Sequence, residues 1–185
     1  MKSLLLAIVC LALTGPGKTF HTREEALVLA FAKADAQRTP HYWTKEQRSQ
    51  LAELAKVKKV GGMHAEYQAK SKDGKVIAGR SVWFDTRIVR SKPQTIMLVI
   101  DAKQSIEEIV VCSFDEPLDY KPVDRWYAQF EGRQLDDDLQ LKKGIHGVSG
   151  ATLTSRATTA AVREILAAYA VAHPVIKKID KEDKK

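Results

Sequence analysis

A glycine- and hydroxyl-rich segment, residues 144–155, carries the residue types best suited to hold a ligand. It precedes a long run of helical apolar spacing, and the first turn of a helix exposes unpaired N–H groups and a partial positive charge that favour phosphate. Gly147 and Gly150 allow the backbone to come close to a ligand. The residues therefore predict an anion or phosphate site, although composition alone favours a capped helix behind a flexible loop.

The helix that follows this segment is the clearest element of the sequence. From about Thr154 to Ala172, alanine and larger apolar residues recur at helical spacing, and Pro174 ends the pattern. This helix would position the hydroxyl groups of its own first turn at one end of the domain.

The middle of the chain has the pattern of an antiparallel sheet. Residues 94–100 and 106–114 are strongly apolar and flank a polar turn, and residues 64–69 and 76–84 flank the hairpin turn 72–75. No helix of crossover length separates these strands, which disfavours a parallel sheet. The predicted fold class is α+β, with an antiparallel sheet of about four or more strands packed with helices.

Two helices are predicted ahead of the sheet, within residues 18–60. Thr22 with Glu25, and Thr44 with Gln47, have the spacing of capping boxes. The first helix is expected to close at Arg38-Thr39-Pro40, because the residue before proline is pushed out of the helical region. The second is expected to end before residues 61–62, which are both glycine.

Residues 1–17 have the form of an export signal. A positive start is followed by an unbroken apolar run over 4–13 and then by Thr14-Gly15-Pro16-Gly17. The run is short for a membrane span, but an uncleaved anchor or a buried N-terminal element remains an alternative. We therefore expect an exported protein, in the periplasm or at the outer face of the membrane.

Charge and cysteine content narrow the class of protein further. The chain has 185 residues, 44% hydrophobic residues and a formal net charge of +7. No basic run with interleaved aromatic residues is present, so nucleic acid is not an expected partner. Cys112 lies in an apolar run and is expected to be a small core residue. The five histidines lack metal-ligand spacing, and the charged tail, 173–185, is predicted to be disordered.

A seven-residue string within the ligand-binding segment resembles the flavinylation motif of the FMN-binding domain family. That family includes the C subunit of the sodium-pumping NADH:quinone oxidoreductase and the G subunit of the Rnf complex. The resemblance implies that Thr152 carries FMN through a phosphodiester bond and that its neighbours contact the cofactor. The string comprises Ser149, Gly150, Ala151, Thr152, Leu153, Thr154 and Ser155.

A looser likeness extends over about residues 61–172, the expected FMN-binding domain. Glu116, Pro117 and Leu118 stand where the family has a Glu-Thr-Pro-Gly-Leu-Gly loop against the flavin. The resemblance implies that the isoalloxazine ring lies over this loop, near Trp126 or Phe130, where aromatic stacking would hold it. Ordinary core packing is the alternative for these two aromatic residues.

The resemblance also implies a function and its partners. The chain is expected to be an exported, membrane-associated electron carrier rather than an enzyme in its own right. An FMN transferase would attach the cofactor, and the electron partner would be a membrane redox complex or another exported carrier. The family has an Asp, part of what the transferase recognises, where this chain has His146. A noncovalent FMN oxidoreductase and a flavin-free accessory module are therefore the alternatives.

Overall fold

The computed structural model describes residues 17–32, 35–70 and 79–174. These residues form an α+β fold around one antiparallel sheet, as the sequence predicts, with strand order β1-β6-β5-β4-β3-β2. The strands in chain order are β1 (Lys18–Thr19), β2 (Ala36–Tyr42), β3 (Met63–Ala69), β4 (Ser81–Ile88), β5 (Pro93–Ile100) and β6 (Ile106–Phe114).

Four α-helices within the described residues accompany the sheet, and two of them begin with the predicted capping boxes. Thr22 and Thr44 each accept a hydrogen bond from the third residue of their helix, whose side chain accepts one in return. The helices are α1 (Arg23–Phe31), α2 (Lys45–Ala55), α3 (Asp124–Tyr127) and α4 (Thr152–Ala172), with single 3-10 turns at Leu118–Tyr120 and Ala128–Phe130.

The main core lies between one face of the sheet and α4, with α2 and α3 at its edges. Its largest fully buried side chains include Trp83 on β4, Phe130 and Ile165. Trp126 and Phe130 pack edge to face with ring centroids 5.3 Å apart. Because α4 packs against this core along most of its length, the position of its N-terminal turn is fixed.

A smaller core covers the opposite face of the sheet, where α1 packs. Phe31 of α1 joins Tyr67, Met97 and Cys112 there. Cys112 is buried, as the sequence predicts, and burial raises the pKa of its thiol to about 11. The sheet is therefore covered on both faces, which leaves its edges and ends as the exposed parts.

The expectation that the first helix closes at Arg38-Thr39-Pro40 was wrong. Helix α1 ends at Phe31, because Ala32 adopts a left-handed conformation with φ 54° and donates its N–H to Val28. The chain then enters β2, which contains Pro40 and pairs along its full length with β3. A proline is tolerated there because β2 is the outermost strand of the sheet.

Other expectations for the N-terminal part also change. The segment 18–60 contains strands β1 and β2 as well as the two predicted helices. The second helix stops at Ala55, ahead of the glycine pair, because Lys56 is left-handed with φ 55°. The predicted signal segment, the hairpin turn at 72–75 and the charged tail lie almost entirely outside the described residues. No helix in the described ranges is long and apolar enough to cross a membrane.

Candidate functional site

The N-terminus of α4 differs from those of α1 and α2. Its N-cap residue, Ala151, provides no side-chain cap, and its first turn contains no acidic residue. The first intrahelical bond runs from the N–H of Ser155 to the carbonyl of Ala151. The N–H groups of Thr152, Leu153 and Thr154 therefore have no acceptor among the described residues. This turn offers unpaired donors and a positive helix end to an anion.

The four hydroxyl groups of the segment are not equivalent. Thr154 is buried and donates to the carbonyl of Tyr120 at 2.5 Å, and buried Ser155 donates to the carbonyl of Ala151 at 3.0 Å. Thr152 is exposed at the helix start, with a long bond of 3.3 Å from its Oγ1 to the carbonyl of Val148. Ser149 is also exposed. Two hydroxyls thus fix the helix start, and two are free to meet a ligand.

A pocket of about 160 Å³ adjoins the α4 N-terminus. It brings together Thr152 and the turn between β4 and β5, where the guanidinium of Arg90 lies 4.6 Å from the centroid of the Tyr120 ring. Gly150, with φ +82°, borders the pocket, and a Cβ built on it would meet no atom within 4 Å. The lining consists of Val89, Arg90, Glu116, Tyr120, Gly150, Ala151, Thr152, Leu153 and Thr154.

Glu116 is the buried carboxylate of this pocket. Its Oε1 accepts hydrogen bonds from the backbone N–H groups of Ser91 at 2.6 Å, Lys92 at 2.7 Å and Arg90 at 3.3 Å. The N–H of Ser91 contributes most to holding the pKa of Glu116 below its ordinary value, although burial opposes it. Glu116 therefore fixes the β4–β5 turn that forms one wall of the pocket.

Five residues that the sequence assigned to the cofactor site do not line this pocket, namely Ser149, Ser155, Pro117, Leu118 and Trp126. Pro117 and Leu118 are exposed beside it. Trp126 is buried, and its indole N–H donates to the carbonyl of His146 at 2.6 Å. It packs with Tyr127 and Phe130, so it is a core residue that ties the loop ahead of α4 to the helical layer.

Sequence reasoning missed one wall of the pocket. Val89, Arg90 and Tyr120 line it but lie outside the flavinylation motif and the loop at 116–118. Their positions depend on the β4–β5 turn and on the 3-10 turn after Glu116, which bring distant parts of the chain together.

Comparison with known families places this site in a recognised class. The model of the FMN-binding domain family matches residues 91–167, which run from the β4–β5 turn into α4 and include Glu116 and the whole segment 149–155. Residues 91–167 are therefore similar to an FMN-binding domain, and this match supports flavin binding with FMN as the ligand. No curated protein and no solved structure matches the chain.

Proposed function

We propose that this protein is an electron carrier whose FMN is joined through its phosphate to Oγ1 of Thr152. The observation that carries the proposal is the contrast among the hydroxyls of the motif. Thr152 is exposed at an uncapped helix N-terminus and lines the pocket, whereas Thr154 and Ser155 are buried and bonded to carbonyl oxygens. A bond at Thr152 would leave the packing of α4 unchanged.

The residues present fit the phosphate of FMN. The unpaired N–H groups of the first turn of α4 would donate to its oxygens, and Arg90 would add a positive charge from the facing turn. The flavin itself supplies the redox chemistry, and the protein supplies placement and electrostatics. The expected place of the ring over Pro117 and Leu118 stays a prediction, and both are exposed enough to be covered by it.

The bond requires an external enzyme. A Thr hydroxyl is a weak nucleophile without a base, and Glu116, the carboxylate lining the pocket, is engaged by three backbone N–H groups. An FMN transferase would join Oγ1 of Thr152 to the flavin-bearing phosphate of FAD. The bond to the second phosphate breaks, AMP leaves, and the hydroxyl proton is lost. The tether would then keep FMN at high local concentration, which suits an exported protein.

A carrier fits this site better than an enzyme that acts on a substrate of its own. The pocket holds one carboxylate and no second acid or base to pair with it among its lining residues. Export, membrane association and transfer to a redox partner belong to the same proposal, supported by the signal-like residues 1–17. A noncovalent FMN oxidoreductase is the alternative, and it predicts flavin that is released on denaturation.

Co-expression of the chain with an FMN transferase tests the attachment. After denaturing electrophoresis, the wild type should show a fluorescent flavin band and Thr152→Ala should be dark. Ser149→Ala is the matched control, because Ser149 is the other exposed hydroxyl of the motif, and it should remain fluorescent. A dark wild-type band, or fluorescence that survives in Thr152→Ala, would contradict the proposal.

A further inference from the structure

A large cleft in the described residues lies away from the pocket beside Thr152. Its volume is about 670 Å³, and its lining includes residues of β3 and β4 together with Glu164 of α4. Glu164 lies 12 residues after Thr152, a distance of about 18 Å along the helix. None of its lining residues borders the pocket beside Thr152. The cleft is therefore a second, separate concave surface.

The cleft exists because β3 and β4 diverge. Within the described residues these two strands pair at Glu66 with Trp83 and at Tyr67 with Val82, whereas their outer neighbours pair along the full strands. Residues 63–65 and 84–88 consequently face each other across the cleft without a ladder between them. Strand edges that lack a partner present N–H and C=O groups to an added strand.

One wall of the cleft is positively charged. Arg38 lies opposite Tyr67 in the β2–β3 register, which places its side chain on the face of the sheet that α1 covers. Arg23 comes from α1 itself, with its guanidinium 5.3 Å from the centroid of the Phe84 ring. No carboxylate of the described residues lies within ion-pair distance of Arg23, Arg38 or Lys59, which also lines the cleft.

The opposite wall consists of charged and polar side chains that form hydrogen bonds with one another, here called the paired network. Arg87 binds both oxygens of Asp85 at 2.5 and 2.6 Å and reaches Glu164 at 3.2 Å. His64 accepts the indole N–H of Trp43 at Nδ1, so its proton is on Nε2, which donates to Glu164 at 3.2 Å. These groups satisfy one another, which fixes the open shape of the cleft.

We propose that this cleft binds an extended acidic peptide segment of a partner protein, which adds a strand between β3 and β4. Its backbone would pair with the unpaired strand edges, and this gives affinity without regard to sequence. Its side chains would alternate between the two faces of the sheet. Acidic residues at alternate positions would point towards Arg23 and Arg38, and small neutral residues would point towards the paired network.

A designed peptide tests both parts of the proposal. The probe is a fluorescein-labelled octapeptide that alternates Glu and Thr, titrated into the full chain and followed by fluorescence anisotropy. We expect a dissociation constant below about 1 mM. We also expect slower amide hydrogen exchange in residues 63–65 and 84–88 when the peptide is bound, because those amides become part of a ladder.

Two matched peptides separate strand addition from charge attraction. One carries the same eight side chains with alternate backbone amides N-methylated, and the other has four Glu residues followed by four Thr residues. Both keep the net charge, and both should bind at least about tenfold more weakly. Equal binding by either peptide would show simple anion attraction and would overturn the proposal, as would no binding of the alternating peptide.

Protein variants locate the binding surface. Arg23→Gln combined with Arg38→Gln should weaken binding about tenfold. Lys45→Gln combined with Arg48→Gln is the control, because these exposed residues on α2 do not line the cleft, and it should change binding less than twofold. Equal weakening in the two pairs would contradict the site. Flavin attachment at Thr152 should be unaffected in both, so this test does not depend on the flavin proposal.

Discussion

Glu116 is the residue on which the shape of the pocket beside Thr152 depends most directly. Three backbone N–H groups of the β4–β5 turn donate to one of its oxygens, and its pKa lies below the ordinary value. Its contribution to stability is present above the pKa of the unfolded chain, about 4.3. It is lost as the pH falls further, through the folded pKa.

We predict that Glu116→Gln lowers the free energy of unfolding by about 1–3 kcal/mol at pH 7, because a charged acceptor is lost. Urea denaturation at pH 7 and at successively lower pH measures the effect. The difference between wild type and variant should shrink as the pH falls below about 4. Glu131→Gln should be close to neutral, because this residue is exposed and its side chain makes no hydrogen bond with the described residues. A difference for Glu116→Gln that persists unchanged in acid would contradict this role.

A second prediction at the level of single residues concerns His146. Its backbone is fixed, because its N–H donates to Gln129 Oε1 at 2.8 Å and its carbonyl accepts from Trp126. The residue is exposed, so an external transferase could reach its side chain. We predict that His146→Asp raises the fraction of flavin-labelled chain several-fold in time courses with a limiting transferase. His146→Asn is the control for size, and an equal rise in both would show that the carboxylate is not recognised.

The sequence predicted that a helix begins within residues 149–155, but not the different hydrogen bonds that the hydroxyl groups of this segment make. The motif at 149–155 predicted a phosphate site at a helix start, and α4 does begin at Thr152. That Thr154 bonds to the carbonyl of Tyr120 could not be predicted, because that carbonyl lies 34 residues away in the chain. Arg90 was missed for the same reason, since only the folded turn brings it to the pocket.

A buried arginine of α4, Arg163, forms hydrogen bonds with the end of α2. Arg163 donates to the carbonyls of Leu54 and Ala55 at the end of α2 and to those of Asp136 and Leu139 in the loop before the flavin motif. The carbonyls at a helix C-terminus lack partners of their own, so a cation is favoured there. Arg163 thus connects α4 to the end of α2 and to the loop that contains Asp136 and Leu139.

We predict that Arg163→Lys destabilises the protein by about 2–4 kcal/mol, because an ammonium group has three donors and cannot bond to all four carbonyl oxygens. Thermal or urea unfolding measures the change. Arg156→Lys is the matched control, since Arg156 is an exposed residue of the same helix, and it should shift stability by less than about 0.5 kcal/mol. Equal stability of the two variants would contradict this role of Arg163.

Helix N-caps and the spacing of apolar residues could be predicted from the sequence, whereas the pairing of strands could be predicted only in part. The capping boxes at Thr22 and Thr44 are local signals, and both occur in the structure. Strand β2 was missed because its residues, Ala36–Tyr42, have little alternation and include a proline. Its pairing with β3 is a tertiary contact that the local pattern of residues does not encode.

The whole molecule extends beyond the region that matches the family. Residues 91–167 contain β5, β6 and most of α4, but β5 pairs with β4 over its whole length. Trp83 of β4 is fully buried in the main core. The matched region alone would expose one edge of β5 and the part of the core that Trp83 fills.

We predict that a fragment of residues 91–174 lacks a cooperative unfolding transition, whereas residues 17–174 retain it. Circular dichroism with urea, together with the dispersion of amide resonances, distinguishes the two outcomes. Trp83→Ala in the longer chain should lower stability by about 3–5 kcal/mol. A fragment 91–174 that unfolds cooperatively would show that the match marks an independent folding unit.

The site of flavin attachment is tested most directly by peptide mass spectrometry of the chain produced with an FMN transferase. Trypsin should release residues 144–156, because Lys143 and Arg156 bound this segment. We predict that this peptide carries the mass of FMN less one water, and that fragment ions place it on Thr152. An unmodified peptide from flavin-exposed protein, or a modification on Ser149, Thr154 or Ser155, would contradict the account.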